Sequence, residues 1–184
     1  LSSSSAASDV YKRQRLQQAE LISFDTETDA LDAMRARLVG VSLAVEPGKA
    51  AYIPVGHDYP GAPAQLPMQQ VLDALRPVLQ DPAKKKLGQH GKYDLHVLRR
   101  HGVDVQGYHD DTMLESFVLN STATRHDMDS LALRYLGYST IKFEDVAGKG
   151  AKQIPFSQVG IDEASRYAAE DLSLIHISEP TRPR

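Results

Sequence analysis

Two apolar stretches, Leu38 to Val45 and Ala50 to Val55, are separated only by Glu46-Pro47-Gly48-Lys49. So short a connection joins strands as an antiparallel hairpin. A third apolar run, Leu21-Ile22-Ser23-Phe24, precedes them and ends directly in Asp25 and Glu27. It reads as a buried strand that delivers side chains from its C-terminal end. Beyond the Pro/Gly-rich loop from Pro60 to Pro67, Val71, Leu72, Leu75, Val78 and Leu79 recur at helical spacing, and Pro77 is expected to kink or shorten that helix. Lys84 to Gly88 suggests a strand, and Leu95 and Leu98 mark one face of a helix after it, so a parallel crossover follows the hairpin. Helices are expected over Thr112 to Asn120 with a Thr112/Glu115 capping box, over Met128 to Leu136 closed by Gly137, and from near Asp162. A three-strand meander followed by alternating helices and strands is a mixed α/β domain.

Composition narrows the class. With 184 residues, 41% of them hydrophobic, the chain can fill the core of one ordinary domain. No apolar run approaches the roughly 18 to 20 residues of a membrane helix, and the Ser-rich start lacks the basic and apolar regions of a signal peptide; a cytoplasmic location is the expectation. There are no cysteines, which excludes disulfides and leaves oxygen and histidine as the metal ligands on offer. The net charge of -3 argues against holding long duplex DNA by bulk electrostatics, while leaving room for a local basic groove. Residues 1–14 and 173–184 share neither periodicity nor composition with the middle and resemble translated sequencing-adapter sequence. They are read as non-native tails around a domain spanning residues 15–172.

The chemistry-bearing residues are acidic. Asp25 and Glu27 are two apart on a strand, so their carboxylates share one side and repel unless something positive lies between them. Tyr167 and Asp171 are four apart in a helical pattern and so lie on one face. Asp94 falls in the first turn of a helix, where the macrodipole favours its ionised form. Each has an ordinary explanation in turn capping, solvation or helix-end electrostatics. Together, four carboxylates and a tyrosine form an all-oxygen site suited to Mg²⁺ or Mn²⁺.

The stretches Phe24-Asp25-Thr26-Glu27-Thr28, Lys92-Tyr93-Asp94, Asp111-Thr112-Met113-Leu114-Glu115-Ser116, Arg125-His126-Asp127-Met128-Asp129-Ser130-Leu131-Ala132 and Tyr167-Ala168-Ala169-Glu170-Asp171 resemble the proofreading exonuclease domains of bacterial family A DNA polymerases. The resemblance runs from about Ile22 to Asp171. It implies a ribonuclease-H-like α/β fold and a four-carboxylate 3′-to-5′ exonuclease of the tyrosine subtype. In that reading Asp25, Glu27, Asp94 and Asp171 hold two divalent metal ions, Mg²⁺ or Mn²⁺ with Zn²⁺ an option at one site, and Tyr167 positions water. The substrate implied is the 3′ end of single-stranded or frayed DNA, with a polymerase domain in the parent chain as partner and a monomeric state.

The same resemblance assigns Thr28, Leu31, Gln89, Tyr93, Arg125 and Phe143 to nucleic-acid contact, Leu31 as a wedge near the terminal bases and Phe143 as an aromatic at the 3′ end. Core packing is the competing account of Leu31 and Phe143. The chain departs from the family at His90 and Gly91, where Asn and a larger residue are common. Gly148-Lys149-Gly150 lacks P-loop spacing and reads as a flexible basic loop. His126-Asp127-Met128-Asp129 reads as a helix start with Asp127 or Asp129 as cap, and Lys84-Lys85-Lys86 as a solvated strand entry. Two other readings stay open at this point: a ribonuclease-D-like exoribonuclease, which shares the five catalytic residues, and an inactive exonuclease fold kept as a DNA-binding scaffold.

Overall fold

The computed structural model describes residues 14–122 and 125–177. Five strands, β1 (Leu21–Thr28), β2 (Leu38–Glu46), β3 (Lys49–Pro54), β4 (Lys85–Gly88) and β5 (Tyr108–Asp111), form one sheet in the order β3-β2-β1-β4-β5. β1, β2 and β3 pair antiparallel, whereas β1 with β4 and β4 with β5 are parallel. The meander and the crossover expected from the sequence are both present. Around them lie α1 (Met68–Leu79), α2 (Lys92–Arg100), α3 (Thr112–Leu119), α4 (Met128–Leu131), α5 (Phe143–Ala147) and α6 (Ile161–Ile177).

The pleat of β1 divides the molecule. Ile22 and Phe24 point to one face, where Leu72, Leu75 and Leu79 of α1 and Val97 and Leu98 of α2 bury them. Each such side chain contributes about 1.5 to 3 kcal/mol of apolar burial. The other face of the sheet meets α6, whose Leu172 and Ile175 pack with Ala44 and Leu87 and with the half-buried Leu21. Asp25 and Glu27 fall in the same alternation as Leu21, so the strand aims both carboxylates toward α6.

Several local expectations need correction. Pro77 lies inside α1, which continues past it to Leu79. The cap of α3 is Asp111, whose side chain accepts from Met113 N and Leu114 N; no Thr112/Glu115 box supplies it. The helix from Met128 tightens for four residues and then opens into a π-helix over Ala132–Leu136 before Gly137 closes it at φ 65°. Asp127 caps its start by accepting from Ser130 N. Lys86 is no solvated entry residue: it is fully buried, and its ammonium donates to the carbonyls of Lys84 and Asp81. Lys84 likewise donates to the carbonyls of Gln17 and Ala19. These lysines close open carbonyls at the start of β4. Most of the two expected tails lies outside the described residues, but α6 runs without a break across residue 172 to Ile177, with Leu174 and Ile175 buried.

Candidate active site

Three elements bring the acidic residues together. β1 supplies Asp25 and Glu27, opposite Ser42 and Gly40 of β2, and its pairing shifts register just after Glu27. α2 begins at the carboxyl end of β4 and places Asp94 in its first turn. Asp94 is 4% exposed and accepts from both the backbone N–H of Thr26, at 3.1 Å, and the Thr26 hydroxyl. α6 supplies Tyr167 and Asp171 one turn apart, with the phenol donating to the carboxylate.

The electrostatics are those of an uncompensated acidic cluster. Burial pushes Asp25 up to about 6, opposed by the Thr26 N–H. Glu27 lies well above the usual carboxylate range through burial and then through the charges of Asp25, Asp171 and Asp94. Asp94 is raised by burial and by Asp25, against the two Thr26 hydrogen bonds. Asp171 is pushed up to about 8 by burial and by Asp25, although the Tyr167 hydrogen bond pulls the other way. Burial, then Asp171, Glu27 and Asp25, raise the Tyr167 phenol as well. Like charges forced together in a dry site resist ionisation until a cation enters. Among the described residues, no group of three or more His, Asp or Glu side chains is placed so that it could hold a metal ion as it stands. The quartet is gathered within mutual electrostatic reach and left open.

The residues expected to touch nucleic acid fall into three groups. Leu31 is 98% exposed, which removes core packing as its explanation, while Phe143 is 39% exposed. The Phe143 ring stacks on Phe156 at 6.1 Å and meets Tyr167 edge-on at 6.3 Å, so it links the surface to the catalytic tyrosine candidate. Thr28 and Tyr93 meet each other, their hydroxyls 2.5 Å apart, and both lie within hydrogen-bond reach of the carbonyl of Ala30 beside Leu31, so that one hydroxyl donates to the other and the other to the carbonyl. Arg125 is exposed. Gln89, expected to contact the strand, also has partners within the chain. Its amide N–H donates to the carbonyl of His126 at 2.9 Å and its oxygen accepts from Thr112. It thereby ties the loop before α2 to α3 and to the segment carrying Arg125.

Residues that sequence reasoning missed support the site from behind. Tyr52 lies against Gly40, the partner of Glu27, so closely that a Cβ at Gly40 would come within 2.2 Å of the ring. The Tyr52 hydroxyl is 2.7 Å from Nε2 of His57, whose Nδ1 is 2.9 Å from the carbonyl of Val159. A carbonyl only accepts, so Nδ1 carries the proton and Nε2 accepts from Tyr52. Burial lowers the His57 pKa and favours this neutral form. The signal in the sequence was weak, since Tyr52 alternates with apolar neighbours like any strand residue.

With this geometry the comparisons with known proteins agree. A family model described as 3'-5' exonuclease matches residues 3–177. The chain belongs to the 3′-5′ exonuclease family. It is 60% identical over 159 residues to DNA polymerase I of Pseudomonas aeruginosa, a match covering 85% of this chain and 17% of that protein. It is 42% identical over 168 residues to DNA polymerase I of Rhizobium leguminosarum, covering 82% of this chain and 16% of the other. The chain therefore spans about a sixth of the length of these relatives. Among solved structures, ribonuclease D of Trypanosoma brucei superposes with a TM-score of 0.69 at 18% identity, over 95% of this chain and 61% of that one. The fold of this exonuclease-family chain is accordingly the ribonuclease-H-like α/β arrangement, and the curated relatives it matches are bacterial DNA polymerases I. Among the described residues, no helix is long and apolar enough to cross a membrane.

Proposed function

We propose that this chain removes nucleotides from the 3′ end of single-stranded or frayed DNA, hydrolysing the last phosphodiester bond to leave a 3′ hydroxyl and a nucleoside 5′-monophosphate. The observation that carries the reading is the convergence of Asp25, Glu27, Asp94 and Asp171, all with raised pKa values, with Asp25 itself among the causes for the other three. Such a donor set fits hard divalent cations, and two Mg²⁺ or Mn²⁺ ions held there, with Zn²⁺ an option at one position, would stabilise charge at the attacked phosphate and ease deprotonation of water.

The chain's own groups have distinct tasks. Asp25, Glu27, Asp94 and Asp171 are the proposed metal ligands. Thr26 holds Asp94 against β1 through two hydrogen bonds, so that α2 and the strand move as one support. Tyr167, anchored to Asp171, orients the attacking water through its hydroxyl. Leu31, exposed beyond the end of β1, and Phe143, stacked beside Tyr167, flank the place of the terminal bases. Thr28, Tyr93 and Arg125 line the strand's approach, with Gln89 fixing the segment that carries Arg125. Site and contacts together favour an unpaired end, because stacking on an aromatic ring, worth about 1 to 3 kcal/mol per base, requires a base that has left the duplex. The parent chain would join this unit to a polymerase, as its relatives' names suggest, and would work in the cytoplasm.

The test is digestion of matched 5′-labelled DNA and RNA oligonucleotides, single-stranded and blunt duplex, with Mn²⁺ or with excess chelator. Stepwise shortening of single-stranded DNA from the 3′ end, lost with chelator, is the expected result. Equal activity in chelator would remove the metal assignment, equal initial rates on blunt duplex would remove the preference for frayed ends, and preference for RNA would move the chain to the ribonuclease-D-like reading.

A further inference from the structure

Asp111, at the end of β5, is a buried carboxylate that no part of the proposed chemistry uses. It is 7% exposed and receives five hydrogen bonds. Two are those of a helix cap, from Met113 N at 3.0 Å and Leu114 N at 3.3 Å. The other three reach across to a different part of the chain or the same strand: His90 N at 3.0 Å, Gly91 N at 2.9 Å and the Tyr108 hydroxyl at 2.8 Å. A cap of α3 needs none of these three. They fix the two residues that stand immediately before α2, the helix that carries Asp94.

Two features of that loop fit the bracing. His90 has φ 54°, the one left-handed non-glycine among the described residues. A conformation of this kind costs of order 1 kcal/mol or more and persists where surrounding bonds over-determine it. Gly91 has an ordinary φ of -63°, so its backbone does not demand glycine. Space does: a Cβ there would come to 2.1 Å from the Tyr108 hydroxyl and 2.5 Å from its Cζ. The absent side chain at Gly91 is what lets Tyr108 reach Asp111. The departure at Gly91 is thus explained by a partner on β5.

We propose that Asp111, completed by Tyr108 and Gly91, is a positioning residue for hydrolysis. It locks the His90-Gly91 backbone and so sets the start of α2, from which Asp94 is delivered to Thr26 and the acidic quartet. The inference rests on the nuclease reading of that quartet. Because Asp111 acts through Asp94 and not on the strand, its loss should lower kcat and leave KM nearly unchanged.

The experiment uses the whole 184-residue chain, single-stranded DNA and Mn²⁺. Asp111→Asn and Gly91→Ala should each lower kcat about tenfold, with KM held within about twofold, and should raise amide hydrogen exchange at residues 90–92. In a Tyr108→Val background the added Gly91→Ala change should have no further effect, since the three closest approaches, all to the Tyr108 ring, are gone. Should Asp111→Asn fail to fold, the Gly91/Tyr108 pair still decides the matter. An unchanged kcat in an active parent, an increase confined to KM, or the same Gly91→Ala loss in both backgrounds would overturn the proposal. An inactive parent whose Asp111→Asn variant still exchanges faster at residues 90–92 would instead break the nuclease reading and leave the brace standing.

Discussion

Asp111 and the quartet of Asp25, Glu27, Asp94 and Asp171 are two places where this molecule draws carboxylates away from water, and they do so in opposite ways. Around Asp111, donors saturate the group with five hydrogen bonds. Around the quartet the donors are few: Thr26 serves Asp94 and Asp25, Tyr167 serves Asp171, and for Glu27, Asp94 and Asp171 the strongest neighbours are other carboxylates. A buried charge that is fully paired belongs to the architecture. A cluster left short of positive partners is a stored instability, which something from outside must relieve.

The comparison breaks most sharply by deletion. Asp25→Ala should reduce exonuclease activity by about a thousandfold or more, since the residue interacts with every other member of the quartet. Its melting temperature without metal should hold or rise, because repulsion is removed. Asp111→Ala should do the reverse to the fold, lowering stability by about 2 to 4 kcal/mol as buried backbone N–H groups lose their acceptor. Thermal unfolding of both variants without metal checks the opposite signs; a similar drop in both would mean that the quartet is structural after all.

A smaller effect is expected at Tyr167. Tyr167→Phe keeps the ring against Phe143 and Phe156 and removes only the hydroxyl, so single-turnover rates should fall about tenfold to a hundredfold while substrate affinity stays. A rate equal to the parent's would make Tyr167 a packing residue.

The smallest effect is a pH dependence. Asp25 at about 6 and Asp171 at about 8 both lie above the ordinary value of 3.8. Between those limits the folded chain holds more protons than the unfolded one, so stability is greatest at low pH within this contribution and is lost as pH rises through about 6 and then about 8. Without metal, the melting temperature should fall by roughly 5 °C between pH 5.5 and 8.5, and Mn²⁺ should flatten that slope. A slope of the opposite sign in the metal-free protein would show that the quartet is not strained as described.

What could be read in advance follows the range of the interactions. The hairpin around Pro47-Gly48, the run into Asp25 and the helical spacing of Tyr167 and Asp171 are local, and each lies where the sequence puts it. β5 was illegible because Tyr108-His109-Asp110-Asp111 has no apolar alternation and gains its place at the sheet edge only by pairing with β4. The burial of Lys86 was hidden for a similar reason: three consecutive lysines look solvated until the carbonyls that receive them are known. Gln89 and Asp111 depended on partners twenty or more residues away, and no spacing rule encodes such a partnership.

The passage of α6 beyond residue 172 bears on how interchangeable its end is. Asp171 sits beside Leu172 and Ile175, which press the helix onto Ala44 and Leu87, and near Leu174, which is also buried. That pressure asks for greasy side chains at suitable positions and for a helix-forming backbone between them, and for little else. Many unrelated sequences meet so undemanding a specification. The end of α6 is therefore a socket whose plug can be exchanged, and a domain of this design could be joined at that point to very different continuations while keeping Asp171 in register with the sheet.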